Sequence, residues 1–174
     1  MTEFAIARPE PPSSLSDPRE LVDAYLDYYR AELLRKLDGL SAKDLRQSRL
    51  PSGWTPLELL GHLTWVERRW FQWGFAAEPQ QDPWGDRGPD DRWHVADEDT
   101  LETLTARFTA QCDASRAVAA DVPTERRAAV GGRFSTEAEA PSLGWILFHV
   151  LQEYARHVGQ LDVVRELADG RVDD

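Results

Sequence analysis

Apolar residues in this chain recur every three or four positions in four separate stretches, and nowhere do they alternate over the length of a strand. A period near 3.6 builds one-sided helices, whereas strands need a period of 2. The chain is thereby held to an all-α fold, and four amphipathic helices of this kind predict an antiparallel four-helix bundle. The first helix opens at Ser16-Asp17-Pro18, a cap followed by a proline that the first helical turn tolerates, and repeats Leu21, Tyr25, Tyr28 or Tyr29, Leu33 and Leu37 before Asp38-Gly39 stops it. Ser41 to Leu45 add a short turn. The second helix starts after Pro51-Ser52-Gly53 with the capping box Thr55-Pro56-Leu57-Glu58 and is predicted to reach about Phe75. The third begins at Thr100, repeats Leu101, Leu104, Phe108, Cys112, Ser115 and Val118, and ends at Asp121-Val122-Pro123. The fourth is capped by Ser142 and runs from Leu143 to about Ala168, with Asp169-Gly170 as its stop. Long loops remain after helices 2 and 3, at 76–99 and 123–141. Residues 1–15, rich in Pro and Ser, read as a flexible arm, and residues 16–174 as a single domain.

Charge and cysteine usage exclude several classes of function. The net charge is −11, against the basic face that a phosphate backbone requires, so no nucleic-acid partner is expected. The one cysteine, Cys112, rules out an intrachain disulfide framework and a multi-cysteine zinc site. Its place on the apolar face of the third helix makes it a small core residue rather than a nucleophile. The opening MTEFAIARPEPPSS has no apolar run of signal or membrane-span length, so the expectation is a cytoplasmic protein with no membrane partner.

Four histidines, His62, His94, His149 and His157, are then worth placing one by one. Glu153 and His157 are four apart on the last helix, so both side chains can reach one ion. Their stripe neighbours Ile146, Val150 and Val164 are apolar, and a carboxylate there is costly to bury unless paired or metal-bound. His62 falls on a second-helix stripe with Leu59, Val66, Arg69 and Trp73. One ligand from one helix and two from another is a common way to build a metal site in a bundle, and a His2Glu set leaves a position open for substrate. His149 is equally well spaced from Glu153, while His149 and His157 are roughly 12 Å of helix rise apart. Spacing alone does not choose between the two pairs, nor between metal ligation and a satisfied polar pair.

The stretches SGWTPLELLGHLTWVERRWF at 52–71 and SLGWILFHVLQEYARHVGQLDVVRELADG at 142–170, with DEDTLETLTARF between them, resemble the DinB superfamily of metal-binding four-helix proteins. The nearest resemblance is to the branch of mycothiol-dependent maleylpyruvate isomerases and S-transferases. It implies a divalent ion, zinc first and Ni2+ or another divalent ion as alternatives, on His62, Glu153 and His157. Many relatives have His where Glu153 stands, so this chain follows a His/Glu/His variant. The resemblance leaves His149 outside the triad, as a pocket residue, and turns Gln160 into the cavity. It also implies a low-molecular-weight thiol such as mycothiol, activated for attack on a small electrophile, and a homodimer with an aromatic two-fold interface. Rival functions are a hydrolase with zinc-activated water and a non-catalytic metal-binding stress protein. Around the triad, Arg69 is a candidate for a cosubstrate anion, Trp73 for a pocket wall, and His94 for a lid. The aspartates Asp82, Asp86, Asp90 and Asp91 read as a solvated loop.

Overall fold

The helices start where side chains satisfy their first orphan N–H groups. In the computed structural model, which describes residues 9–172, the Asp17 carboxylate accepts from the backbone N–H of Arg19 and Glu20 and opens α1 (Pro18–Leu37). Ser41 opens the short α2 (Ala42–Leu45). The Thr55/Glu58 capping box is closed in both directions, at 3.3 and 2.7 Å, and opens α3 (Pro56–Arg68). Thr100 opens α4 (Leu101–Ala119), with Thr103 in the role usually given to Glu. Ser142 opens α5 (Leu143–Asp169), and Gly170 closes it at a φ of 74°, a left-handed conformation that glycine adopts without strain. The expected arm falls partly on residues 1–8, which lie outside the described residues.

One element differs from the sequence reading. The second helix reaches Phe75 as expected, but Arg69–Phe75 is π-helical. The wider turn rotates the following residues, so Trp73 leaves the stripe that carries His62. The loop after α4 is fastened to this segment: Ala129 N–H donates to the Phe75 carbonyl and Arg133 N–H to the Trp73 carbonyl. Gly132 makes the approach possible, because a Cβ there would stand 2.2 Å from the Trp73 carbonyl oxygen.

Among the described residues the regular structure is helical, apart from isolated bridge pairs at Arg87–Trp93 and Arg127–Ser142. The long helices share one apolar core, with Leu26, Leu33, Leu59, Leu63, Ile146 and Leu161 removed from solvent. Helix directions can be read from cross-helix contacts. α3 and α5 are antiparallel: His62 faces His157, while Trp70 faces Trp145. α1 and α5 run the same way, since Arg165 near the end of α5 donates to the carbonyls of Lys36 and Asp38 at the end of α1, both at 2.6 Å. α3 and α4 also run the same way: Gly61 and Leu104 line one cavity at one end, and Gln111 donates to Gln72 at 2.7 Å at the other. Beside the antiparallel crossing of α3 and α5, these two pairs therefore run parallel. A parallel pair needs a return segment of helix length, and residues 76–100 supply it.

The core also holds a charged node. Glu67 is fully buried and accepts from Arg30 Nε and Nη2, at 2.9 and 3.1 Å, and from the Tyr154 hydroxyl at 2.8 Å. These bonds join α1, α3 and α5 at one carboxylate. No helix among the described residues is long and apolar enough to cross a membrane.

Candidate metal centre

The antiparallel crossing of α3 and α5 brings His62 onto the face of α5 that carries Glu153 and His157. Ligand atoms of the three residues all lie within 4.8 Å of one another. This resolves the choice left open by spacing: His157 joins His62, and His149 sits one turn away. Glu153 spans both histidines, with Oε2 3.3 Å from His157 Nε2 and Oε1 3.4 Å from His149 Nε2. The hydrogen bond from His157 is the main reason its carboxyl is held below the ordinary carboxylate range, against the opposing effect of burial.

Each clustered histidine is oriented from behind. His62 Nδ1 lies 2.9 Å from Asp86 Oδ2. Asp86 is buried, which by itself would raise its carboxyl, but hydrogen bonds from His62 and Arg69 hold it low and ionised. An ionised carboxylate can only accept, so His62 carries its proton on Nδ1 and turns the Nε2 lone pair toward the cluster. Burial pushes the His62 imidazole down, the Asp86 bond notwithstanding, which favours the neutral ring that a metal needs. On the other helix, His157 Nδ1 is 2.9 Å from Gln160 Oε1. Gln160 is thus occupied in fixing the His157 ring, one turn on, rather than reaching into open space.

Asp86 is the residue that the sequence reading missed. It lies in the Asp-rich loop, and its neighbours Asp82, Asp90 and Asp91 are indeed exposed. The distinguishing signal is spatial: the return segment brings it beneath His62, a long way along the chain. Arg69 belongs to the same unit. Its guanidinium donates to both Asp86 oxygens, at 2.6 and 3.0 Å, and is buried, so it is committed to that ion pair rather than to a cosubstrate anion.

Aromatic rings wall the cluster. Trp93, from the return segment, stacks on His62 with centroids 3.9 Å apart and meets His157 nearly edge-on at 5.3 Å. On the far side His149 is sandwiched between Trp145, stacked at 5.0 Å, and Trp70 at 4.3 Å. Trp73 instead faces Arg133. His94 is exposed and lines cavities of about 600 and 620 Å³ that include none of the three clustered residues, so the lid position falls to Trp93. Cys112 is buried near Glu67, and burial together with that carboxylate pushes its thiol far up, which removes it as a nucleophile.

Two imidazoles and one carboxylate, with both rings held by partners on their far nitrogens, form a donor set that suits a divalent ion such as zinc. A family model described as Mycothiol-S-transferase matches residues 21–170. The chain belongs to the Mycothiol-S-transferase family. The match spans α1 through α5 and so includes His62, Asp86, Glu153 and His157. No curated protein matches the chain. Membership of this family implies a thiol substrate.

Proposed function

We propose that this protein is a metal-dependent thiol S-transferase on a DinB-type four-helix bundle formed by residues 16–174, using mycothiol or a similar small thiol against a small electrophile. The observation that carries the reading is the convergence of His62, Glu153 and His157 donor atoms within 4.8 Å in a chain of this family. A divalent ion held by these residues, zinc by the chemistry of the donors, supplies the positive charge beside which a thiol gives up its proton near neutral pH. The protein's own contributions follow from the geometry. Asp86 and Gln160 hold the two rings from their Nδ1 sides, and the ionised Asp86 sets the His62 tautomer whose Nε2 lone pair points inward. Glu153 offsets one unit of the ion's charge, leaving a net +1 that an anionic sulfur complements. Trp93 covers two of the donor rings and keeps water from that side. The sulfur then bonds to the electrophilic carbon. A leaving group departs with its electron pair or, in addition to a carbon–carbon double bond, the neighbouring carbon takes up a proton.

The test is metal analysis of purified protein beside His62→Ala, followed by thiol titration of cobalt-substituted protein. Stoichiometric metal in the wild type, its loss in the variant and a thiol-induced change in the cobalt spectrum are expected. Absence of metal from both proteins overturns the site. Metal without any thiol response overturns the transfer reading and leaves a hydrolase or a binding protein.

A further inference from the structure

Arg133 is a guanidinium that belongs neither to the buried ion pairs of the core nor to the His62/Glu153/His157 cluster. It is half-buried, and among the described residues no carboxylate lies within ion-pair distance of it; its contacts are the rings of Trp70 at 4.2 Å and of Trp73 and Trp84 at 5.8 Å. Burial and the nearby charge of Arg69 both disfavour its cationic form, so an anion beside it relieves a cost already present. Of the two other guanidiniums at the Trp84 ring, Arg69 is paired with Asp86 and Arg87 with Asp91. All three surround the Trp84 ring, which concentrates positive charge locally in a chain of net charge −11.

The position of Arg133 is built. Its backbone N–H is fastened to the π-helical carbonyl of Trp73, and Gly132 permits that approach. Two short routes lead from it to the cluster. Trp70, under the guanidinium, touches His149, which reaches Glu153; Arg69, its neighbouring charge, grips Asp86, which holds His62. From these placements, and resting on the transferase reading above, we propose that Arg133 is the specificity-determining residue for the electrophile, binding a carboxylate or like anionic group of a small substrate whose reactive carbon is turned toward the His62/Glu153/His157 cluster. Planar guanidinium and carboxylate can meet through two parallel hydrogen bonds, which fixes orientation as well as affinity.

Two measurements test this. The first is binding of benzoate and benzamide, followed by tryptophan fluorescence and calorimetry, in wild type, Arg133→Gln and Arg133→Lys, with circular dichroism confirming the fold. Benzoate is expected to bind more tightly than benzamide, with Arg133→Gln losing about 10- to 100-fold for benzoate alone and Arg133→Lys keeping part of it. Equal binding of the two compounds, or benzoate affinity unchanged in Arg133→Gln, overturns the proposal. The second compares thiol alkylation by iodoacetate and iodoacetamide, where the C–S bond forms as iodide leaves with the C–I electron pair and the thiol proton passes to solvent. Arg133→Gln should lower kcat/KM for iodoacetate and spare iodoacetamide. An equal fall for both, with a raised KM for the thiol, assigns the guanidinium to the thiol and overturns the electrophile assignment. If neither reagent turns over, the transferase reading fails and the benzoate result alone decides the anion site.

Discussion

Replacing Asp86 by Asn changes one atom, yet it should disturb both metal affinity and stability. The native carboxylate receives three hydrogen bonds, from His62 Nδ1 at 2.9 Å and from Arg69 at 2.6 and 3.0 Å. An Asn side chain offers one accepting oxygen and an amide that only donates. If its oxygen faces Arg69, its amide faces His62, so Nδ1 becomes the acceptor and the proton moves to Nε2, the nitrogen that must be free. If its oxygen faces His62, a buried guanidinium meets an amide N–H. Losing the partner behind a ligating histidine costs about 10- to 100-fold in metal affinity, or about 1.4 to 2.7 kcal/mol. Breaking the buried Asp86–Arg69 pair adds about 3 to 5 kcal/mol of lost stability. Zinc affinity can be read by competition with a chromophoric chelator, and stability by urea denaturation of the metal-free protein. Arg69→Met separates the two effects, since it breaks the ion pair while leaving Asp86 behind His62; it should lose stability and keep zinc affinity within a few fold. Wild-type zinc affinity in folded Asp86→Asn would refute the role given to Asp86.

Other outcomes follow from the same geometry. His149→Ala should retain stoichiometric metal while Glu153→Ala loses it, as measured by elemental analysis; equal loss in both would place His149 among the ligands. Glu67→Ala leaves the buried Arg30 with Asp27 as its one carboxylate partner and removes the acceptor of Tyr154, so the urea-unfolding free energy should fall by about 3 kcal/mol; a change below about 1 kcal/mol contradicts the node. Gly132→Ala places a methyl group against the Trp73 carbonyl, where backbone must move, and should cost about 1 to 3 kcal/mol in the same assay. Cys112 should resist iodoacetamide at pH 8 in the folded protein and react after denaturation, as mass spectrometry would report.

What was legible in the sequence was local. The Thr55–Glu58 box, Ser142 and Gly170 act on groups within a few residues of themselves, and the structure uses each of them as expected. The i, i+4 relation of Glu153 and His157 is also local, and it places the two side chains together. Helix direction is not local. The parallel pairing of α3 with α4 depends on where residues 76–100 return, and no period in the helices encodes it. The same separation hides Asp86, whose aspartate neighbours face solvent, and Trp93, which covers the cluster from the return segment. The π-helical Arg69–Phe75 illustrates a subtler limit: the apolar pattern gives the extent of the helix but not its pitch, and the pitch decides that Trp73 faces Arg133 rather than His62.

The division of the proposed ligands between α3 and α5 has a consequence for synthesis. A ribosome releases His62, Asp86 and Arg69 well before Glu153, His157 and Gln160. Until α5 emerges, the nascent chain holds one of the three donor side chains, an incomplete claw with weak hold on any ion. Docking of α5 brings the remaining donors and the Arg165 clasp on the end of α1 together. In the proposed centre, ion capture is thus tied to the docking of α5 on the earlier helices, and it rewards only chains in which that helix has seated correctly.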